Sequence, residues 1–266
     1  MIYNKNNSKK NIKNSRRYNK KYKQKKITRK NKIKTNSCIK TRKNRKKNIL
    51  FISHRGYGNN IYTDNSFEAY DNAFKNNFDM IEMDIQLCKS GEIVIYHDIY
   101  IKNKLIHNTN YIDLQKIGIK TLNDFFIEKY NKKMKILFDI KGIRRNIVSK
   151  IIETCNKYNA HYNKILMSSF NKLIISDLIK YKKMYNYKLG LISDNNFYYD
   201  EIKYQLNKID FISINFEMLL ACDEKLLNEC KKKNIKIFVW TIKDKYQVEL
   251  LKDLPIDGYI SDIKLN

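Results

Sequence analysis

From Ile49 onward, short apolar runs alternate with longer amphipathic segments, and this alternation restricts the possible folds more than any other feature of the chain. The predicted strands are Ile49–Ser53, Met80–Ile85, Ile93–Tyr96, Lys135–Ile140, Ile165–Ser168, Lys188–Ile192, Phe211–Ile214, Ile235–Trp240 and Gly258–Ser261. The predicted helices are Phe67–Asn76, Leu122–Lys129, Arg145–Tyr158, Lys172–Tyr185, Tyr199–Leu206, Glu217–Lys233 and Lys245–Leu251. Strands that alternate with helices are typical of a parallel sheet joined by crossover helices.

The connection Gln86–Glu92 between the second and third predicted strands is only about seven residues long. A parallel crossover needs a dozen or more residues, whereas Ser90-Gly91 suits a hairpin turn. The third strand is therefore expected to run antiparallel to the second, with position 97 opposite position 84. Eight parallel strands remain, which predicts an α/β fold: a TIM-type (β/α)8 barrel over residues 49–266 with an extra antiparallel hairpin strand after strand 2.

Residues 1–48 form a basic arm, because they contain 21 Lys and Arg and no Asp or Glu in a chain of net charge +27. Apolar residues in this Lys- and Asn-rich arm follow no period, so it cannot bury enough surface to offset its chain entropy and is predicted to be disordered. Two interpretations of the arm stay open. In the first it is functional, either binding nucleic acid or another anionic surface or acting as a nuclear-type address, with Lys40–Lys47 as the densest basic cluster. In the second it is a solvated tail without a function.

The composition also predicts the cellular environment. No apolar run reaches the roughly 18 residues that a membrane span needs, and the N-terminus lacks the apolar core of a secretory signal. The five cysteines are odd in number and show no C-x-x-C spacing, which is typical of free thiols in a reducing compartment. We therefore expect a soluble, intracellular, cytoplasmic protein with no signal peptide and no transmembrane segment.

Two carboxylates alternate with apolar residues at the end of the second predicted strand. Glu82 and Asp84 point to one face of the strand, while Ile81, Met83 and Ile85 point to the other. The apolar set suits the helix layer, which leaves both acids at the barrel mouth, where mutual repulsion and desolvation are costly. One divalent cation, Mg²⁺ or Ca²⁺, would relieve both costs. The alternative is a surface strand whose acids are simply solvated.

Asp139 and Lys141 repeat this spacing at the end of the fourth predicted strand. Asp139 could supply a third oxygen ligand to the cation, and Lys141 could contact an anionic oxygen of a substrate. A salt-bridged strand end explains the same pattern without any function.

Two of the four histidines follow predicted strands. His54, followed by Arg55, ends the first strand, and His97 ends the return strand of the hairpin. The expected hairpin register places His97 beside the proposed cation ligands, so the two histidines are predicted to share one site. His107 and His161 have no such context.

Asn65 stands just before the first predicted helix, and Glu68 follows it three residues later. This spacing is close to that of a capping box, so an N-cap explains Asn65 fully. A role at the mouth of the site would be an addition to the cap.

The strand-end motifs occur in a fixed order: His54-Arg55-Gly56, Asp64-Asn65-Ser66, Ile81-Glu82-Met83-Asp84, Gly91, His97-Asp98, Asp139-Ile140-Lys141, Ser168-Ser169-Phe170, Trp240-Thr241 and Asp257–Asp262. In this order they resemble the signature of the glycerophosphodiester phosphodiesterase family. The match spans about residues 50–263. Several motifs in the correct order are far more specific than any one of them.

The resemblance implies a TIM-type barrel that holds a divalent cation and hydrolyses glycerophosphodiesters to glycerol 3-phosphate and an alcohol. The roles it implies are: His54 and His97 as catalytic acid and base; Glu82, Asp84 and Asp139 as metal ligands; Arg55 and Lys141 on the substrate phosphate; Phe170 and Trp240 in the substrate pocket. The family usually has Glu at the position of Asp64, and Glu is common at the position of Asp139. Each aspartate side chain is shorter than glutamate by one methylene. The segment Ile99–Gly118 is shorter than the insertion of many relatives, so no alcohol preference is transferred.

Two other functions compete with this interpretation. One is a phospholipase-D-like enzyme acting on lysophospholipid or sphingomyelin, which the motif His54-Arg55-Gly56 and the lack of a secretion signal oppose. The other is a non-catalytic barrel whose basic arm binds a polyanion, which the complete set of candidate catalytic residues opposes.

Overall fold

The computed structural model describes residues 49–195 and 199–265, so the basic arm over residues 1–48 and its predicted disorder lie outside the described residues. The strands are β1 (Leu50–Ser53), β2 (Met80–Leu87), β3 (Ile93–Ile95), β4 (Tyr100–Ile101), β5 (Lys104–Leu105), β6 (Ile136–Ile140), β7 (Ile165–Ser169), β8 (Lys188–Ser193), β9 (Phe211–Asn215), β10 (Lys236–Ile242) and β11 (Gly258–Ser261). The α-helices are α1 (Phe67–Lys75), α2 (Tyr111–Gln115), α3 (Leu122–Glu128), α4 (Ile147–Lys157), α5 (Lys172–Lys182), α6 (Tyr199–Leu206), α7 (Phe216–Leu220), α8 (Glu224–Lys232) and α9 (Lys245–Leu250).

Eight parallel strands close into a barrel. Their order is β1-β11-β10-β9-β8-β7-β6-β2, and the pairing of β1 with β2 completes the ring. The first residues of β2 pair with β1, whereas its last three pair antiparallel with β3. The predicted TIM-type (β/α)8 barrel with an extra hairpin strand is therefore confirmed.

The register of the β2–β3 hairpin differs by one residue from the expected register. Ile85 pairs with Ile95, and the backbone N–H of Tyr96 donates to the Asp84 carbonyl at 3.1 Å. The prediction that position 97 lies opposite Asp84 was therefore wrong.

The turn of this hairpin explains the shift. The backbone N–H of Cys88 donates to the Glu92 carbonyl at 3.1 Å, so the turn contains residues 89–91 and is centred on Ser90. Its last residue, Gly91, has a φ of +98°, which glycine adopts readily because it lacks a Cβ. A turn of odd length moves every opposed pair by one position.

Residues of the barrel strands alternate between the helix layer and the barrel interior. Ile81 and Met83 are buried in the large core that includes the helices, whereas Met80 belongs to a separate apolar cluster inside the barrel. Glu82 and Asp84 share the inward face with Met80 because side chains alternate along a strand. The expectation that the carboxylates face the interior is confirmed.

Apolar side chains form a floor across the barrel interior. The ring centroids of Phe211 and Phe238 lie 5.0 Å apart. Two glycines make room for these rings, because a Cβ on Gly190 would lie 2.1 Å from Phe211 and one on Gly258 would lie 2.9 Å from Phe238. The polar residues that follow on the strands therefore face the C-terminal mouth, where the loops of such barrels build their sites.

The single helix predicted over Glu217–Lys233 is divided into α7 and α8. Asn215 caps α7 by accepting from the Glu217 N–H at 2.9 Å. Asp223 caps α8 by accepting from the Lys225 N–H at 2.9 Å. Asn and Asp side chains favour the start of a helix over its interior, so two caps this close together produce two helices.

The segment Ile99–Gly118 contains more structure than the sequence predicted. Tyr100 pairs with Leu105 in a small antiparallel sheet of β4 and β5, and α2 follows. Lys102 and Asn103 form the turn with φ values of +45° and +64°. Strands of two residues are too short to show a period in the sequence.

Membrane spans and disulfides are both absent from the described residues. No helix in this part of the chain is long and apolar enough to cross a bilayer. The four described cysteines, Cys88, Cys155, Cys222 and Cys230, are unpaired, and Cys38 lies outside the described residues.

Candidate active site

The candidate site residues meet in one cavity at the C-terminal mouth of the barrel. The cavity has a volume of about 110 Å³. Nine residues that the sequence singled out line it: His54, Arg55, Glu82, Asp84, His97, Asp139, Lys141, Phe170 and Trp240. They lie on β2, β6 and β10 or in the segments directly after β1, β3, β6 and β7, so barrel closure brings residues from distant parts of the sequence to one place.

Three buried carboxylates converge in this cavity. Oxygens of Glu82, Asp84 and Asp139 all lie within 4.8 Å of one another. Asp84 on β2 pairs in register with Asp139 on β6, and the backbone N–H of Arg55 donates to Glu82 Oε2 at 2.7 Å. The site therefore concentrates negative charge on three side chains that are each at most 8% exposed.

Burial and neighbouring charges shift the pKa values of the three carboxyl groups in different directions. Desolvation raises the pKa of Glu82 well above its ordinary value, and repulsion from Asp84 and Asp139 adds to this. Desolvation also raises the pKa of Asp139 to about 6, although Lys141 opposes it. Burial would raise the pKa of Asp84 too, but Lys141 and Arg55 outweigh burial and lower it. The protein's own cations thus stabilise one carboxylate and only partly balance the other two.

The donor set fits a hard divalent cation. Asp139 Oδ1 is buried and accepts no hydrogen bond from the described residues, although most buried carboxylate oxygens have a partner. Mg²⁺ and Ca²⁺ prefer carboxylate oxygens as ligands, and either ion would balance the excess negative charge. Glu82, Asp84 and Asp139 are therefore the residues that could hold such an ion.

Two side-chain cations border the carboxylates. Lys141 Nζ lies 2.6 Å from Asp139 Oδ2 and 3.1 Å from Asp84 Oδ1. Burial alone would lower the pKa of Lys141, but the attraction of Asp139 and Asp84 raises it overall, so the lysine stays charged.

Arg55 is the second of these cations. Its Nε lies 3.2 Å from Asp84 Oδ2, while Nη1 lies 3.5 Å from Asp64 Oδ2. Its φ of +53° is uncommon for a residue with a side chain. In this conformation the backbone N–H reaches Glu82 while the guanidinium reaches Asp84.

Each of the two site histidines is oriented by an aspartate. His54 Nδ1 lies 2.7 Å from Asp262 Oδ1, and His97 Nδ1 lies 2.7 Å from Asp98 Oδ1. An ionised carboxylate only accepts hydrogen bonds, so it favours the tautomer with the proton on Nδ1 and a lone pair on Nε2. A histidine in this state can take up a proton at Nε2 and later release it.

Sequence reasoning did not predict the orienting aspartates as functional partners. Asp98 follows His97 directly, and this adjacency was the available signal. Asp262 is 208 residues from His54, and the pairing of β1 with β11 brings the two together.

Asn65 bonds to a carboxylate of the site and does not cap α1. Ser66 is the N-cap, since its Oγ accepts from the Ala69 N–H at 3.1 Å. The Asn65 side chain instead donates to Asp84 Oδ2 at 2.8 Å. The capping interpretation of Asn65 was therefore wrong, whereas a contact between Asn65 and the site, which was expected only in addition to the cap, is observed.

Two aromatic side chains form one wall of the cavity. Phe170 and Trp240 meet edge to face, with ring centroids 5.7 Å apart and an interplanar angle of 88°. Lys141 Nζ lies 5.2 Å from the centroid of Phe170. Trp240 Nε1 is buried without a hydrogen-bond partner among the described residues.

Ser213 and Ile192 also line the cavity, and no sequence motif singled them out. Ser213 follows Phe211 on β9 by two positions, and Ile192 follows Gly190 on β8 by two positions. Because residues two apart on a strand face the same side, this spacing was the available signal that both face the barrel interior. Neither His107 nor His161 lines the cavity.

Solved structures share this barrel over most of the chain. The crystal structure of a glycerophosphodiester phosphodiesterase from Parabacteroides distasonis matches with a TM-score of 0.73 and 19% identity, covering 82% of this chain and 94% of that chain. A phosphodiesterase from Oleispira antarctica, solved in complex with the product sn-glycerol-3-phosphate, matches with a TM-score of 0.66 and 19% identity, covering 81% and 93%. At these identities the likeness shows a common fold alone, that of the (β/α)8 barrel.

Sequence comparison defines the family. The chain belongs to the glycerophosphoryl diester phosphodiesterase family, whose model matches residues 54–263. A glycerophosphodiester phosphodiesterase from Caldanaerobacter subterraneus subsp. tengcongensis is 26% identical over 238 residues, which cover 80% of this chain and 93% of that protein. The resemblance seen in the motifs is confirmed, and the protein is an enzyme of the phosphoric diester hydrolase class.

Proposed function

We propose that the protein hydrolyses glycerophosphodiesters to glycerol 3-phosphate and an alcohol, with one divalent cation, Mg²⁺ or Ca²⁺, and two histidines as acid and base. The observation that carries this proposal is the arrangement of His54 and His97. Both border the cavity that holds the carboxylate cluster, and each is bonded through Nδ1 to an aspartate at 2.7 Å.

In this proposal Glu82, Asp84 and Asp139 hold the cation. When bound, a divalent cation supplies positive charge to the phosphodiester oxygens as the transition state forms. The buried Asp139 Oδ1 without a hydrogen-bond donor supports the inclusion of this residue, although an aspartate reaches less far than the glutamate common in the family.

The two histidines divide the proton transfers between them. One, unprotonated at Nε2, takes a proton there from the attacking oxygen, and the other, which starts protonated at both ring nitrogens, gives its Nε2 proton to the leaving alkoxide. Asp262 and Asp98 hold Nδ1 of each ring, so Nε2 is the nitrogen that exchanges the proton. Hydrolysis consumes one water, and afterwards the first histidine releases its proton to solvent while the second takes one up, so both return to their starting protonation states.

Arg55 and Lys141 bind the substrate phosphate in this proposal. Both are cations that border the carboxylates and the cavity at once, so they can balance the acids and contact an anionic substrate. Phe170 and Trp240 then border the substrate on the apolar wall.

The test is turnover of glycerophosphocholine by the purified protein with Mg²⁺, Ca²⁺ or EDTA. His54→Ala and His97→Ala are each expected to lower kcat by about 100-fold or more, as removal of a general acid or base does, and EDTA is expected to abolish turnover. His161→Ala is the control, because His161 is exposed and does not line the cavity. Turnover that survives EDTA, or a wild-type rate in His54→Ala, would contradict the proposal.

A lysophospholipid and sphingomyelin are assayed in parallel as the alternative substrate class. The proposal expects glycerophosphocholine to have the higher kcat/KM. A clear preference for the lipids would replace the substrate named here.

A further inference from the structure

Asn65 and Tyr70 form a buried, hydrogen-bonded pair beside the Asp84 carboxylate. The Asn65 amide nitrogen donates to Asp84 Oδ2 at 2.8 Å, and its amide oxygen accepts from the Asp84 backbone N–H at 3.1 Å. The Tyr70 hydroxyl donates to the same amide oxygen at 3.0 Å. Asn65 therefore contacts both the backbone and the side chain of Asp84.

The backbone of Asn65 is also held in place. Its N–H donates to the Arg55 carbonyl at 2.8 Å, and its φ is +60°. Asparagine adopts this left-handed conformation more readily than most residues. The bond closes the loop between β1 and α1 and places the amide against β2.

Tyr70 helps to determine which way the Asn65 amide faces. The two ends of an amide are nearly identical in shape, so the surrounding donors decide which end carries the oxygen. The Asp84 N–H and the Tyr70 hydroxyl both donate to one end, which leaves the NH₂ group facing the Asp84 carboxylate. Loss of the hydroxyl would remove one of these two restraints.

The Tyr70 hydroxyl is itself fixed in place. Tyr70 is fully buried on α1, and its ring lies 5.8 Å from that of Phe125, edge to face at 83°. Desolvation, followed by the charges of Glu82 and Asp84, raises the pKa of Tyr70 well above its ordinary value. The group is therefore a neutral donor at every pH at which the protein would be assayed.

We propose that Asn65 and Tyr70 are positioning residues that orient the Asp84 carboxylate for the divalent cation, an inference that rests on the proposed function. They act through Asp84, because Asn65 bonds to Asp84 directly and Tyr70 bonds to Asn65. Removal of a group that orients a metal ligand typically weakens metal binding by about 10- to 100-fold.

The experiment measures cation affinity directly, by calorimetric titration of the folded protein with Mg²⁺ and with Ca²⁺. Tyr70→Phe removes only the hydroxyl and is expected to weaken binding by about 10-fold. Asn65→Gly removes the amide but keeps a residue that tolerates a positive φ, and its loss of affinity is expected to be larger.

Tyr187→Phe is the matched control. Tyr187 is also fully buried, and its hydroxyl donates to the Leu178 carbonyl, but it does not line the cavity. This variant is expected to lose stability to a similar extent as Tyr70→Phe and to keep the wild-type cation affinity.

An unchanged affinity in Tyr70→Phe would show that its hydroxyl serves only the fold and would overturn the inference. A wild-type protein that binds neither cation would overturn it as well. Turnover is measured separately from binding. If the variants show the expected order of affinities but the wild type does not hydrolyse glycerophosphocholine, the proposed function fails and the positioning role stands.

Discussion

At the scale of single residues, Asp139 shows how an incomplete set of partners changes the chemistry of a carboxylate. Its Oδ2 contacts Lys141 at 2.6 Å, whereas its Oδ1 is buried with no donor among the described residues. Desolvation therefore dominates and raises the pKa of the group to about 6. A site built in this way gains stability when protons or a metal ion supply the missing positive charge.

The free energy of unfolding, measured with EDTA present to remove metal ions, is expected to fall as the pH rises from about 4 to about 6. The pKa of Asp139 is about 6 in the folded protein against an ordinary value of 3.8, so the folded state binds this proton more tightly than the unfolded state. The resulting stabilisation is fully present below pH 3.8 and is lost as the pH rises through 6. Glu82, whose pKa is also raised, acts in the same direction. Urea unfolding across this pH range measures the effect.

Asp139→Asn is the control for this pH effect, because an amide does not ionise. Its free energy of unfolding is expected to depend less on pH over the same window. Saturating Mg²⁺ or Ca²⁺ should reduce the loss in the wild type, since a bound cation favours the carboxylate form. Parallel pH profiles for the wild type and the variant would contradict the explanation.

At the scale of elements, the barrel floor depends on how strands β8 and β9 meet. The Phe211 ring occupies the space beside Gly190, where a Cβ would lie only 2.1 Å from the ring. The floor positions the next inward-facing residues, including Ser213, at the cavity. Packing between two neighbouring strands therefore sets the depth of the candidate site.

Gly190→Ala is expected to lower the free energy of unfolding by about 3 kcal/mol, because overpacking forces shifts in a barrel interior that has little room to move. Gly118→Ala is the comparison, since Gly118 has a φ of +87° and a Cβ added there would meet no atom within 4 Å. It should lose only about 1 kcal/mol from backbone strain. Urea denaturation measures both, and equal losses would show that packing at Gly190 is not the cause.

The β2–β3 hairpin shows why register is harder to predict than the strands themselves. The apolar and polar alternation predicted both faces of β2, but the register of the hairpin differs by one residue from the predicted one. His97 still reaches the cavity, because β3 ends at Ile95 and the residues after it no longer follow the pleat. The location of His97 was correctly predicted, whereas the register that supported the prediction was not.

At the scale of the whole molecule, the excess of basic residues and the candidate catalytic residues lie in different parts of the sequence. Residues 1–48 carry 21 basic side chains and no acidic ones, and the family match begins only at residue 54. A role for the arm in binding a polyanion stays a prediction from composition.

Deletion of residues 1–48 is expected to leave kcat/KM for glycerophosphocholine unchanged, because the residues that line the cavity lie outside the arm. The full chain is expected to bind duplex DNA with an affinity that falls steeply with salt, as binding through many lysines does, and the deletion should remove this binding. Fluorescence anisotropy at several salt concentrations measures it. Equal DNA binding by the two chains would show that the arm is not the binding element.

The sequence by itself determined the strands and their faces, the short connection at Gln86–Glu92 that forces a hairpin, and the acids and histidines at strand ends. These features depend on backbone geometry and side-chain alternation over a few residues, so they can be read locally. Only the tertiary structure decided which side chains are hydrogen-bonded to each other. Asp262 bonds to His54, and Asn65, which accepts a hydrogen bond from Tyr70, bonds to Asp84. These contacts, and the pKa shifts that accompany them, exist because barrel closure brings distant residues together and removes them from water.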